Sequence, residues 1–138
     1  MANYVPLMRS NYFAVKSRAA FERFCKEYEL HAIAMEERGA GAEELVGFLG
    51  SDERGIPRSK YDAAKEDWVD ADFFGDLAKQ LKPGWVAVVQ EIGYEKLRYL
   101  VGVAVAVNAA GAVVAVSLND IYKKAKRLGK QPMTPCEY

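Results

Sequence analysis

An α+β domain built on an antiparallel sheet is the fold this chain predicts, and three observations carry the prediction. Residues 97–107 read Leu-Arg-Tyr-Leu-Val-Gly-Val-Ala-Val-Ala-Val. Every odd position is large and apolar and most even ones are small, a period of two that suits a half-buried strand rather than a helix. Short turns at Gly93 to Lys96 and Asn108 to Gly111 join this strand to apolar neighbours at about 85–92 and 112–117. Connections that short leave no room for the crossovers of a doubly wound parallel sheet, so the three strands form a meander. Helical spacing then recurs at about 17–29, 70–81 and 118–128, which supplies helices to pack mainly on one face of the sheet.

In chain order, Asn11 to Lys16 suggests a short strand, and Ser17 is placed to cap a helix whose stripe is Phe21, Phe24, Cys25 and Tyr28. His31 to Met35 reads as a strand, Gly39-Ala40-Gly41 as the break after it, and Leu45 to Leu49 as a further strand and candidate partner. From Gly50 to about Val69 the residues are polar and include Gly55, Pro57 and Ser59, the composition of a mobile loop-rich segment. Asp70 or Asp72 suits the start of the second helix, by capping and by its negative charge at the positive end of the helix dipole. That helix carries Phe73, Phe74, Leu77 and Leu81 inward and stops at Pro83-Gly84.

Turn positions set a trial register for the meander. Ile92 opposite Leu97 brings Val88 to Val101, Val86 to Val103 and Glu91 to Arg98, and Val107 opposite Ala112 brings Val105 to Val114 and Val103 to Val116. Apolar pairs of this kind contribute roughly 0.2 to 1 kcal/mol each. The second turn fits less well, because two central alanines are poor for a two-residue type I′ turn and Gly111 suits a bulged three-residue loop. One residue of slip there would invert the faces of the last strand. Leu118, Ile121, Tyr122, Ala125 and Leu128 follow helical spacing, with Ser117 or Asn119 as cap and Gly129 as stop. Residues 130–138 hold two prolines and read as a flexible tail.

A length of 138 residues and a hydrophobic fraction of 51% suit one domain, 1–138, with a sizeable core. A spanning helix needs about 20 mostly apolar residues, whereas Glu91, Glu95, Lys96 and Arg98 lie just before the apolar run, so no membrane association is expected. No signal peptide is apparent in Met1 to Ser10, and two cysteines make no disulfide framework, which together point to a cytoplasmic protein with free thiols. Neither a metal site nor a cofactor is expected. The Cys, His and glycine-rich signatures are missing, and Asp62, Asp67, Asp70 and Asp72 lack the ordered spacing and central glycine of a calcium loop. His31, the single histidine, reads as an ordinary structural or edge residue. No catalytic residue is assigned.

Formal net charge is zero, so neither wholesale binding of nucleic acid nor mimicry of it is written into the balance. The distribution says more. Asp62, Glu66, Asp67, Asp70, Asp72 and Asp76 form an acidic segment relieved only by Lys65. It reads either as a solvated loop with a helix N-terminus, or as a patch that docks on the basic, nucleic-acid-binding surface of another protein. Lys123, Lys124, Lys126, Arg127 and Lys130 form a basic end that complements a helix dipole or contacts phosphate. Around the first turn, Glu91 and Arg98 suit a cross-strand ion pair, while Tyr94, Arg98 and Tyr99 are secondary candidates for an interaction hot spot.

Three stretches, 10–16 (Ser-Asn-Tyr-Phe-Ala-Val-Lys), 91–102 (Glu-Ile-Gly-Tyr-Glu-Lys-Leu-Arg-Tyr-Leu-Val-Gly) and 116–122 (Val-Ser-Leu-Asn-Asp-Ile-Tyr), resemble a family of small accessory proteins of conjugative elements, plasmids and phages. The resemblance spans most of the chain except roughly 39–70 and brings no catalytic residues with it. It implies a counter-defence setting of the anti-CRISPR or antirestriction type. The expectation is therefore a non-enzymatic inhibitor that binds a host defence protein or ribonucleoprotein complex through the acidic segment. The alternative is a small nucleic-acid-binding or regulatory protein that uses Lys123, Lys124, Lys126 and Arg127.

Overall fold

Apolar alternation builds the sheet and two capped amphipathic helices cover one of its faces. The computed structural model describes residues 4–35, 42–51, 54–96 and 98–137. The elements in chain order are β1 (Val5–Ser10), α1 (Arg18–Glu27), β2 (His31–Ala34), β3 (Val46–Leu49), β4 (Ser59–Asp62), β5 (Asp67–Asp70), α2 (Phe73–Gln80), β6 (Val86–Glu95), β7 (Tyr99–Asn108), β8 (Val113–Ser117) and α3 (Asp120–Ala125). A six-stranded sheet in the order β2-β3-β1-β6-β7-β8 is antiparallel throughout, and β4 and β5 form a separate two-stranded sheet. The fold is α+β, as expected.

Local chemistry accounts for the two main helices. Ser17 Oγ accepts from Ala20 N at 3.1 Å and Asp72 Oδ1 from Gly75 N at 3.1 Å, so each helix begins at a side chain that satisfies an orphan N–H. Phe21, Phe24 and Cys25 of α1 meet Phe73, Leu77 and Ala78 of α2 and Phe13, Phe48, Val89 and Val107 from below, in one buried cluster. Phe24 is central: its ring lies 5.0 Å from Tyr28, 5.6 Å from Phe73, 6.1 Å from Phe21 and 6.4 Å from Phe48. Cys25 is buried there with its thiol pushed up to about 12, chiefly by burial.

Four expectations need correction. The first strand is Val5–Ser10, whereas Phe13 and Val15 form only single bridges, to Val46 and Leu81. Polar side chains interrupt the ladder there. Ser10 Oγ donates to Asn11 O and accepts from Phe48 N, while the Asn11 amide bonds Val86 O and Val88 N, so side chains add to the few backbone bonds that continue past Ser10, Asn11 N to Val88 O and the Phe13–Val46 bridge. Second, the stretch read as loop contains β4 and β5, held by Tyr61 opposite Trp68 with ring centroids 6.0 Å apart.

The registers also differ. Glu95 pairs with Tyr99, so Ile92 faces Gly102, Val88 faces Ala106, Val86 faces Asn108 and Glu91 faces Val103 rather than Arg98. The strands run past Gly93 to a turn with Lys96 at φ +48° and Arg98 N donating to Glu95 O. Val107 pairs with Val113 and Val105 with Ala115, one residue from the trial register. Gly111 is the cause. At φ +91° it takes the left-handed conformation of a bulged three-residue loop, and Asn108 closes that loop through Oδ1 to Ala112 N at 2.9 Å. Leu97, the expected partner of Ile92, and the Gly39-Ala40-Gly41 break lie outside the described residues.

Finally, the C-terminal helix forms over six residues, with a 3-10 turn at Lys126–Leu128, but no residue of either is buried. Leu118, Ile121 and Leu128 are exposed. Asn119 makes no side-chain cap bond; Asp120 Oδ2 accepts from Ser117 N instead. The tail is tied at Glu137, which bridges Tyr99, and at Cys136 N, which donates to Tyr122 Oη. Among the described residues no helix is long and apolar enough to cross a membrane.

Candidate interaction surface

The six acidic side chains separate into two kinds of position. Asp62 and Asp67 face each other at the end of the β4–β5 hairpin, and Glu66 beside them takes a left-handed φ of +51°. Asp62 Oδ1 closes the turn by accepting from Ala64 N at 2.9 Å and Lys65 N at 3.3 Å. Opposed like charges cost stability, so this hairpin end concentrates negative charge at some expense. Asp70 is exposed at the other end, opposite Ser59. Asp72 and Asp76 are engaged in the fold: Asp72 caps α2, and Asp76 accepts from Tyr28 Oη at 2.6 Å and Lys60 Nζ at 3.2 Å.

Asp76 thus ties α1, α2 and the small hairpin together, with a consequence for pH. Burial by itself raises its pKa, but the hydrogen bonds from Tyr28 and Lys60 and the charges of Lys60 and Lys79 outweigh burial and hold it below the ordinary carboxylate value. A depressed folded-state pKa stabilises the protein above the unfolded value and ceases to do so as pH falls through the folded one. Asp76→Asn, which keeps an acceptor for Tyr28, should therefore melt below wild type at about pH 7, and the difference should shrink steadily as pH falls below about 4. Thermal unfolding from about pH 7 down to about pH 2 measures this, and a gap that does not narrow with falling pH would count against it.

Near the β6–β7 turn, the strand pleat splits the secondary candidates. Tyr94 lies on the outer face of the sheet beside Leu100. Tyr99 lies on the opposite, inner face, stacked on Tyr4 at 6.4 Å, and Arg98 pairs with the buried Glu95 at 3.3 Å. The expected Glu91–Arg98 pair is absent because Glu91 has other partners: it accepts from Tyr4 Oη at 2.7 Å and from Ile56 N. The Tyr4 hydroxyl is held protonated by burial and by Glu91.

Lys123, Lys124, Lys126, Arg127 and Lys130 are all exposed, and none makes an ion pair among the described residues. Tyr122 beside them is occupied by Cys136 N. His31 is exposed on the edge strand β2. A cleft of about 500 Å³ lies between the end of α1 and the small hairpin, where Arg54 pairs with Glu29 and sits 5.9 Å over the Trp68 ring. Among the described residues no cluster of three or more His, Cys, Asp or Glu is arranged to hold a metal ion.

Sequence reasoning missed the outer face of the sheet altogether. Leu7, Ile92, Tyr94, Leu100, Val114 and Val116 point away from the helices and are between 49% and 71% exposed. One signal was present. The solvated face of an antiparallel sheet is ordinarily polar, whereas the even positions 102, 104 and 106 carry Gly, Ala and Ala. Compared with known protein families, curated proteins and solved structures, the chain finds no match.

Proposed function

We propose that this chain is a non-enzymatic, protein-binding inhibitor of a host defence protein or ribonucleoprotein, with the β4–β5 hairpin end as its contact. The observation that supports this is Asp62 facing Asp67, with Glu66 between them, at the end of a hairpin outside the main sheet. A basic, nucleic-acid-binding surface relieves that repulsion on docking, and long-range attraction raises the association rate. The counter-defence setting rests on the resemblance to accessory proteins of mobile elements and on no residue of the hairpin.

Reversal of Glu66, Asp67 and Asp70 to lysine tests the reading and spares Asp62 and Asp72, whose carboxylates close a turn and cap a helix. The triple variant should keep the wild-type melting temperature and lose its partner in pull-downs from host lysate. Wild-type capture should also weaken as salt rises. A second reading, nucleic-acid binding, is favoured by Lys123, Lys124, Lys126, Arg127 and Lys130, which make no ion pair among the described residues. Retention on DNA or RNA that disappears with Lys123→Glu, Lys124→Glu and Arg127→Glu, and survives the acidic reversals, would replace the first reading with the second.

A further inference from the structure

The uncovered face of the six-stranded sheet is the largest feature of the molecule that the acidic hairpin leaves unexplained. Its rows follow from the register: Leu7, Ile92 and Gly102 in one, Tyr94 and Leu100 in the next, and Ala104 with Val116 and Ala106 with Val114 on the other side. Leu118 extends the first row, its N–H donating to Gly102 O and its side chain lying over that glycine. The principal polar side chains on this face are Gln90 and Arg9, toward β3. With Leu118, the six exposed side chains, each 49% to 71% exposed, present on the order of 700 Å² together. That exceeds the few hundred Å² of a typical monomer's largest patch and approaches the ~800 Å² each side of a standard interface buries.

Relief and charge indicate the occupant. Ala104 and Ala106 make a trough along β7, bordered on β8 by the ridge of Val114 and Val116 and on β6 by Gln90 and Val88. Ridge and trough lie side by side on the same surface, which is the condition for a two-fold interface in which one patch meets its own copy. With a formal net charge of zero, two chains meet without net repulsion. We propose that a second copy of this chain covers the outer face, with Val114 and Val116 of each protomer seated in the Ala104–Ala106 trough of the other. The two sheets then stack about 10 Å apart as a sandwich. The inference is independent of the acidic hairpin and of the identity of its target.

Sedimentation velocity on the full chain, up to about 100 μM, tests it. Wild type should sediment at twice the 15.3 kDa of one chain. Ile92→Lys with Val116→Lys places cations on a face that is exposed in the monomer, so the fold, followed by far-UV circular dichroism, should persist while dimer dissociation rises about 100-fold. Ala104→Leu is the sharper variant, since it adds apolar area but fills the trough, and it should weaken the dimer about 10-fold. Tighter self-association by Ala104→Leu would identify unspecific adhesion and overturn the proposal. Wild type that remains at 15.3 kDa, whether free or carried up with neutral phospholipid vesicles in flotation, would overturn it too.

Discussion

Truncation of Phe24 to alanine should cost about 4 kcal/mol of stability, the largest loss expected from any single side chain in this fold. Phe24 is 4% exposed and lies within 6.4 Å, ring centre to ring centre, of four other aromatic residues contributed by α1, α2 and β3. Alanine removes both the buried apolar area and the ring that the others pack against, and α1 and α2, held by their caps and by Asp76, cannot close over the void. Domains of this size are stable by about 5 to 15 kcal/mol, so the variant should stay folded but melt about 15 °C lower. Denaturant unfolding checks it. A loss below about 1 kcal/mol would mean that the aromatic cluster is not the centre of the core.

Substitution of Gly47 by alanine should cost about 3 kcal/mol, for the opposite reason. A Cβ there would stand 2.5 Å from the Asn11 carbonyl oxygen and 2.9 Å from Ser10 Oγ. Neither obstacle is a free side-chain end. The carbonyl belongs to the backbone just past β1, and Ser10, only 2% exposed, uses its hydroxyl to receive Phe48 N and to reach Asn11 O. Relief requires β1 and β3 to part, leaving the Phe48 N–H without its partner, a loss of about 1 to 3 kcal/mol when buried. Gly129→Ala serves as the comparison, because nothing lies within 4 Å of a Cβ at that position. It should unfold within about 0.5 kcal/mol of wild type, and equal costs at the two positions would refute the close-packing account.

Both predictions rest on contacts between residues far apart in the chain, and that is where the sequence was hard to read. The caps Ser17 and Asp72 were legible because a cap and the N–H it satisfies lie three residues apart. The β4–β5 hairpin was obscured by its polarity, although Tyr61 and Trp68 mark it: they face each other across a turn that Asp62 closes with its own side chain. β1 is hard to place from sequence because its alternation is faint and most of its ladder is made with β6, which follows both helices in the chain. Tyr94 and Tyr99 are close in sequence, yet an odd separation along the hairpin sets them on opposite faces. Of the acidic candidates, Asp72 and Asp76 proved to be structural, a distinction that composition does not carry.

Alternation of large and small apolar residues, short turns and capped helical stripes were enough by themselves to determine an α+β fold with a C-terminal meander, because each acts over a few residues. Register, and therefore which valines meet the core, was decided by Lys96 and Gly111 in left-handed conformations, since one residue of slip exchanges the two faces of a strand. Only the tertiary structure could show that two helices cover one face of the sheet and leave Val114, Val116, Ile92 and Leu100 outward, because burial depends on every element that packs and on no one of them.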